Sequence, residues 1–84
     1  MPVNRTTDIT AGPGGVLTVE VGVVTGDLTL RTELSDAGEA TVHVQYKGAD
    51  EWYTVQGATA RLADKHDLDA VHAIAVALLN RPSG

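Results

Sequence analysis

Cysteine is absent from the 84 residues, and so is phenylalanine. The first absence excludes disulfides, thiolate metal ligands and thiol nucleophiles together. It also leaves a short chain without the covalent staples that small domains often use. Basic residues are few, six against eleven acidic ones, for a formal charge of -5. Arg5, Arg31, Lys47, Arg61, Lys65 and Arg81 are scattered, with no run among them. Phosphate recognition needs a local positive field, and anionic lipid surfaces need the same; the reading is therefore no nucleic acid and no membrane. No stretch is long and apolar enough to span a bilayer. The opening MPVNRTTDITAGPGG has no apolar core of a secretory signal, which makes cytoplasmic the expected location.

What the chain does have is a change of rhythm. Residues 1–15 are polar and end in Gly12-Pro13-Gly14-Gly15, a cluster that breaks regular structure and reads as a flexible N-terminal arm from which Val3 and Ile9 can dock. The remainder, 16–82, reads as a single ββββα domain. In 16–24, Leu17, Val19, Val21 and Val23 alternate with Thr18, Glu20, Gly22 and Val24, the period of two of a half-buried strand. Thr25-Gly26-Asp27 is a hairpin turn signal. Leu28, Leu30, Thr32 and Leu34 then share a face, as do Ala40, Val42, Val44 and Tyr46 after the turn at Ser35–Gly38. A fourth strand covers 51–56, and 57–63 forms either a short fifth strand or the crossing to a helix. From Asp64 the spacing becomes helical, with Leu68, Val71, Ile74, Ala75, Leu78 and Leu79 on one stripe, Asp64 or Asp67 as cap, and Asn80 and Pro82 as the stop. The fold class is α+β: an antiparallel β-meander of four or five strands, followed by one C-terminal helix packed on one sheet face.

This shape raises a covering problem. Four strands at about 4.8 Å spacing make a sheet roughly 15–20 Å wide, whereas one helix is about 10 Å across. The helix also carries Ala73, Val76 and Ala77 opposite its main stripe, and a helix apolar on more than one side is usually buried on more than one side. Both points lead to a homodimer that meets through helix or sheet surfaces; the alternative is that the N-terminal arm folds back over the sheet and the small alanines sit in solvent.

Residues that carry chemistry are sparse. His66 and His72 lie six apart, which is not the spacing that puts two metal ligands on one helical face. Asp69 and His72 are three apart, within reach of a local ion pair. Asp64, Asp67 and Asp69 are explained by capping and by the helix dipole. No serine or threonine has the setting of an activated nucleophile. The Gly-rich cluster precedes a strand, whereas a phosphate cradle precedes a helix. No catalytic, metal or cofactor site is therefore assigned. The aromatic residues Tyr46, Trp52 and Tyr53 flank one turn, and since Trp52 and Tyr53 are adjacent in a strand, one ring faces the core and the other faces out. An outward ring is a natural anchor for a partner. The candidate interaction residues are Trp52, Tyr53, Tyr46, Val76 and Ala73.

The stretches VTGDLTLRTELSD, VHVQYKGADEWYTVQG and DLDAVHAIAVALL together resemble short proteins of G+C-rich actinobacteria that are likewise acidic, end in one helix and carry a Trp-Tyr pair before Val-x-Gly. The resemblance implies a fold, and no activity comes with it. The functional expectation is a non-enzymatic, homodimeric protein-interaction module that also binds another protein through the outward aromatic or an open sheet edge. The alternative is a small-ligand binder with a pocket between sheet and helix near Tyr46, Trp52 and Tyr53.

Overall fold

The computed structural model describes residues 3–81. Four antiparallel strands run in sequence order: β1 (Val3–Thr18), β2 (Gly22–Leu34), β3 (Glu39–Tyr46) and β4 (Tyr53–Arg61). A single 3₁₀ turn, Lys65–Asp67, leads into the helix α1 (Leu68–Leu79). The meander with one C-terminal helix is thus the architecture, and 57–61 belongs to β4 instead of forming a fifth strand. The Asp64 carboxylate accepts the His66 N–H at 2.9 Å and so opens the turn; that bond holds the Asp64 carboxyl below its ordinary range. Asn80 is the C-cap, its N–H donating to the Val76 carbonyl. Pro82 lies outside the described residues.

Three expectations about the first half are overturned, for one connected reason. The arm is strand from Val3 onward: β1 pairs with β2 from Val3↔Leu34 to Ala11↔Gly26 and again from Val16↔Val24 to Thr18↔Gly22. Gly12-Pro13-Gly14-Gly15 is the bulge between those two runs, with four residues of β1 facing only Thr25 of β2. The composition of a linker is also the composition of a sharp strand bend. The hairpin turn accordingly falls at Val19–Val21, six residues before the Thr-Gly-Asp signal, and Gly26 sits inside β2 opposite Ala11. Thr18 holds that turn: its hydroxyl donates to the Gly22 carbonyl at 2.7 Å and accepts the Val21 N–H at 3.2 Å. Finally, the inward face is the other parity. Val16, Thr18 and Val24 are buried, whereas Leu17, Val19, Val21 and Val23 point outward.

The covering problem is solved within one chain. The sheet curls into a barrel in the order β1-β2-β3-β4. It closes through Thr18↔Val55 and through the Val19 N–H donated to the Thr54 carbonyl at 2.9 Å. A second bulge permits this: β3 advances from Thr41 to His43 while β4 runs from Thr59 to Thr54, with Gly57 at φ +77° between them. Bulges of this kind are how a sheet turns a corner. The main core gathers Ile9, Val16, Val24, Leu28, Leu30, Val42 and Val44 inside the barrel. So the width of the sheet no longer argues for a second copy.

The helix lies against β1 and β2. Ala75, Val76 and Leu79 pack on the main core, and Leu68 joins Leu34 and Ala40 in a second, smaller cluster. Val76, expected on the outer side, therefore faces inward, and Ile74 and Leu78, expected in the core, face out. Helical period alone cannot choose between stripes on a helix whose mean composition is apolar all round.

Candidate functional site

The closure of the barrel is short, and this creates the most distinctive surface of the molecule. β1 and β4 meet at Thr18↔Val55 and part beyond it. Between the rest of β4 and α1 lies a groove of about 360 Å³. Val42 and Val55 are buried beneath it, Gly57, Ala58, Thr59 and Ala60 form one wall, and Val71, Ile74, Ala75 and Leu78 form the other. Thr59 supplies the one polar side chain of that lining. On its rim Ile74 and Leu78 are 61% and 66% exposed. Small residues on β4 and large aliphatic ones on α1 make an opening suited to an apolar chain.

The molecule carries a second apolar surface. At the β1–β2 hairpin tip Leu17, Val19, Val21 and Val23 are between 50% and 63% exposed, and Leu17 and Val23 are direct cross-strand partners. The carboxylate at the middle of this tip is turned away from it: Glu20 accepts the Thr54 N–H at 2.7 Å and the Thr54 hydroxyl at 2.9 Å. These bonds, the backbone one first, hold the Glu20 carboxyl below its ordinary range. Val55, which lines the groove, is the partner of Thr18, whose chain neighbours Leu17 and Val19 belong to the tip.

His72 occupies the contact between α1 and the barrel. Its Nε2 is 2.7 Å from the Thr7 hydroxyl and its Nδ1 is 2.9 Å from the Thr32 hydroxyl. In the neutral ring one nitrogen donates and the other accepts, and a hydroxyl can serve either role. Thr32 is fully buried, so this ring satisfies a polar group that the core would otherwise strand. Asp69 pairs with Arg5 at 2.7 Å instead of with His72. Burial pushes the His72 pKa below its ordinary 6.5, aided by the Arg5 charge and opposed by Asp69. A depressed histidine binds its proton more readily in the unfolded chain. Its contribution is therefore present above pH 6.5, declines as the pH falls through that value, and levels off below the folded-state pKa. The unfolding midpoint in urea should drop between pH 7.5 and about 5.5 for the wild-type chain and stay flatter for His72→Gln. Parallel profiles for the two would refute this role.

The fourth strand starts at Tyr53, not at residue 51, so Trp52 lies just before it and the two rings are not set apart by strand alternation. Tyr53 packs against the core and meets Tyr46 edge-on, with centroids 6.4 Å apart. Desolvation and then Glu51, which accepts its hydroxyl at 3.2 Å, raise the Tyr53 pKa. Tyr46, expected to face inward with Val44, is largely exposed. Trp52 lies on the outer side with the Arg31 guanidinium 4.1 Å from its ring centre. Arg31 Nε is shielded from solvent without a hydrogen-bond partner, so the indole face is its compensation. None of the three aromatics lines the groove. A pocket between sheet and helix thus exists, but away from Tyr46, Trp52 and Tyr53. Of the other candidates, Ala73 is exposed on α1 and Val76 is taken up by the core. The groove and tip residues Ile74, Leu78, Val19 and Val21 were missed because their spacing matched the buried stripe of a helix and of a strand.

Among the described residues no three His, Cys, Asp or Glu side chains gather as a metal-holding group, and no helix is long and apolar enough to cross a membrane. Compared with protein-family models, with curated proteins and with solved structures, the chain matches none. What the fold and surface define is a class: a small four-stranded antiparallel barrel with one helix, carrying an apolar groove at its incomplete seam.

Proposed function

We propose that this chain is a non-enzymatic, cytoplasmic protein-interaction module that acts as a homodimer, with the seam between β4 and α1 as its recognition surface. The observation that carries the reading is the groove itself, with Ile74 and Leu78 held largely exposed on its rim. Two large aliphatic side chains beside an apolar channel are what an interface core displays before its partner arrives. Charge also fits, since none of the groove residues is ionisable, and interface cores are depleted in charged groups. The edge of β4 beyond Val55 has lost its β1 neighbour, and such edges pair readily with another chain.

Sedimentation equilibrium tests this directly. At tens of micromolar, a level at which interfaces of ordinary affinity are occupied, the wild-type chain should sediment as a dimer. Leu78→Asp should sediment as a monomer with an unchanged circular dichroism spectrum. A wild-type chain that remains monomeric at that concentration would remove the homodimer. The groove volume also lies within the range of small-ligand sites, which favours an apolar ligand as the second reading. A rise in melting temperature with an acyl compound, abolished by Ala58→Leu, is its expected sign.

A further inference from the structure

Resting on the homodimer reading, we infer that the occupant of the groove is the β1–β2 hairpin tip of a second copy, with each protomer placing its tip in the other's groove. The chain has two exposed apolar features, one convex and one concave. The tip presents Leu17, Val19, Val21 and Val23, and the groove rim presents Ile74 and Leu78. Each is the kind of surface the other needs. Glu20 would be the obstacle, since a carboxylate in an apolar groove is costly to desolvate. Its two bonds to Thr54 turn it back onto its own barrel, leaving valines to lead.

Area supports a second copy as the occupant. Six aliphatic side chains exposed by half to two thirds offer on the order of 600 Å², approaching the roughly 800 Å² that each partner gives to a standard stable interface. Neither feature comes near that alone, and only an interface that uses both approaches it. An arrangement that uses both on both copies is reciprocal, and a reciprocal exchange about a two-fold axis closes at two copies, whereas a one-way tip-to-groove contact would propagate. Thr18, at the base of the tip, pairs with Val55 of the groove lining, and a two-fold contact that engages all four surfaces is what the exchange requires.

Exchange has a signature that other dimers lack. Val21→Lys spoils only the tip and Leu78→Asp spoils only the groove. Both side chains are more than half exposed, so neither change disturbs the core, and melting equal to that of the wild type at a dilution where the wild type is itself monomeric will verify this. Each variant alone should weaken dimerisation about tenfold or more. An equimolar mixture should restore it to near the wild-type level, because the heterodimer has one native contact and one Lys–Asp contact. If the dimer instead pairs tip with tip and groove with groove, the mixture restores neither contact and stays monomeric, which would overturn the exchange while leaving the homodimer intact. A monomeric wild type would overturn both and leave the groove to a foreign segment. Should either variant melt early, Val23→Lys with Ile74→Asp repeats the test on other exposed positions.

Discussion

Gly15→Ala should destabilise the barrel by on the order of 3–4 kcal/mol. Gly15 sits at φ +67° within the bulge of β1, a conformation that costs an L-residue roughly 1–2 kcal/mol. Space adds the rest. A Cβ there would lie 2.5 Å from Val23 Cγ1, 2.6 Å from the Val24 carbonyl oxygen and 2.9 Å from Thr25 Cγ2. The middle atom is backbone of the paired strand and has no rotamer to move into, so the bulge itself must shift. The bulge is what lets β1 reach both β2 and β4, and its distortion strains the seam at Thr18↔Val55. Gly57 supplies the control. It has φ +77° but open space around the missing Cβ, so Gly57→Ala should cost only the conformational part, about 1–2 kcal/mol. Urea denaturation of the two variants measures the difference. Equal losses would mean that the close approach at Gly15 is not what limits the site.

The second large effect is expected at Leu68. It is the one residue of α1 that is fully buried, and it joins Leu34 and Ala40, with Val3 and Leu62 packed at the edge. Truncating such a leucine typically costs about 2–5 kcal/mol, depending on how far the site can collapse. A domain whose whole stability is of order 5–15 kcal/mol loses a large share of it. The neighbours here come from β1, β2, β3 and the crossing to the helix, so a contraction has to draw four segments together at once. Leu68→Ala should therefore lose stability near the upper part of that range. A loss below about 1 kcal/mol in urea would show that the small cluster is not what fastens the start of α1. The exposed stripe of the same helix should behave oppositely: changes at Ile74 or Leu78 should act on association, with little effect on unfolding of the isolated protomer.

Much of the fold was legible along the chain. Leu28, Leu30, Thr32 and Leu34 all point inward as their alternation requires, and so do Ala40, Val42 and Val44. These segments have one apolar parity and one polar parity, so a single register satisfies them. The capping role of Asp64 follows from an equally local rule, whereas the opposed settings of Trp52 and Tyr53 arise although only Tyr53 is in the strand. The stretch 16–24 was different, because Val16 and Val24 make the even parity acceptable while Leu17, Val19, Val21 and Val23 make the odd one look better. The position of the turn decides between them, and a hydroxyl, Thr18, sets that position more effectively than the Thr-Gly-Asp sequence does. The candidate site inherited the same ambiguity. Its residues are apolar and periodic, and nothing local marks a valine or a leucine as exposed.

By itself the amino-acid order determined the meander, the switch to a helix near residue 64, the inner faces of residues 28–34 and 40–44, and the class of fold. These are set by side-chain alternation and by capping, which act over a few residues. Only the tertiary structure decided that Gly12–Gly15 is a bend within a strand, that the sheet closes on itself, and that the closure stops at Thr18↔Val55. Closure depends on pairing between residues far apart in the chain, and whichever apolar groups it fails to cover become the surface available to a partner.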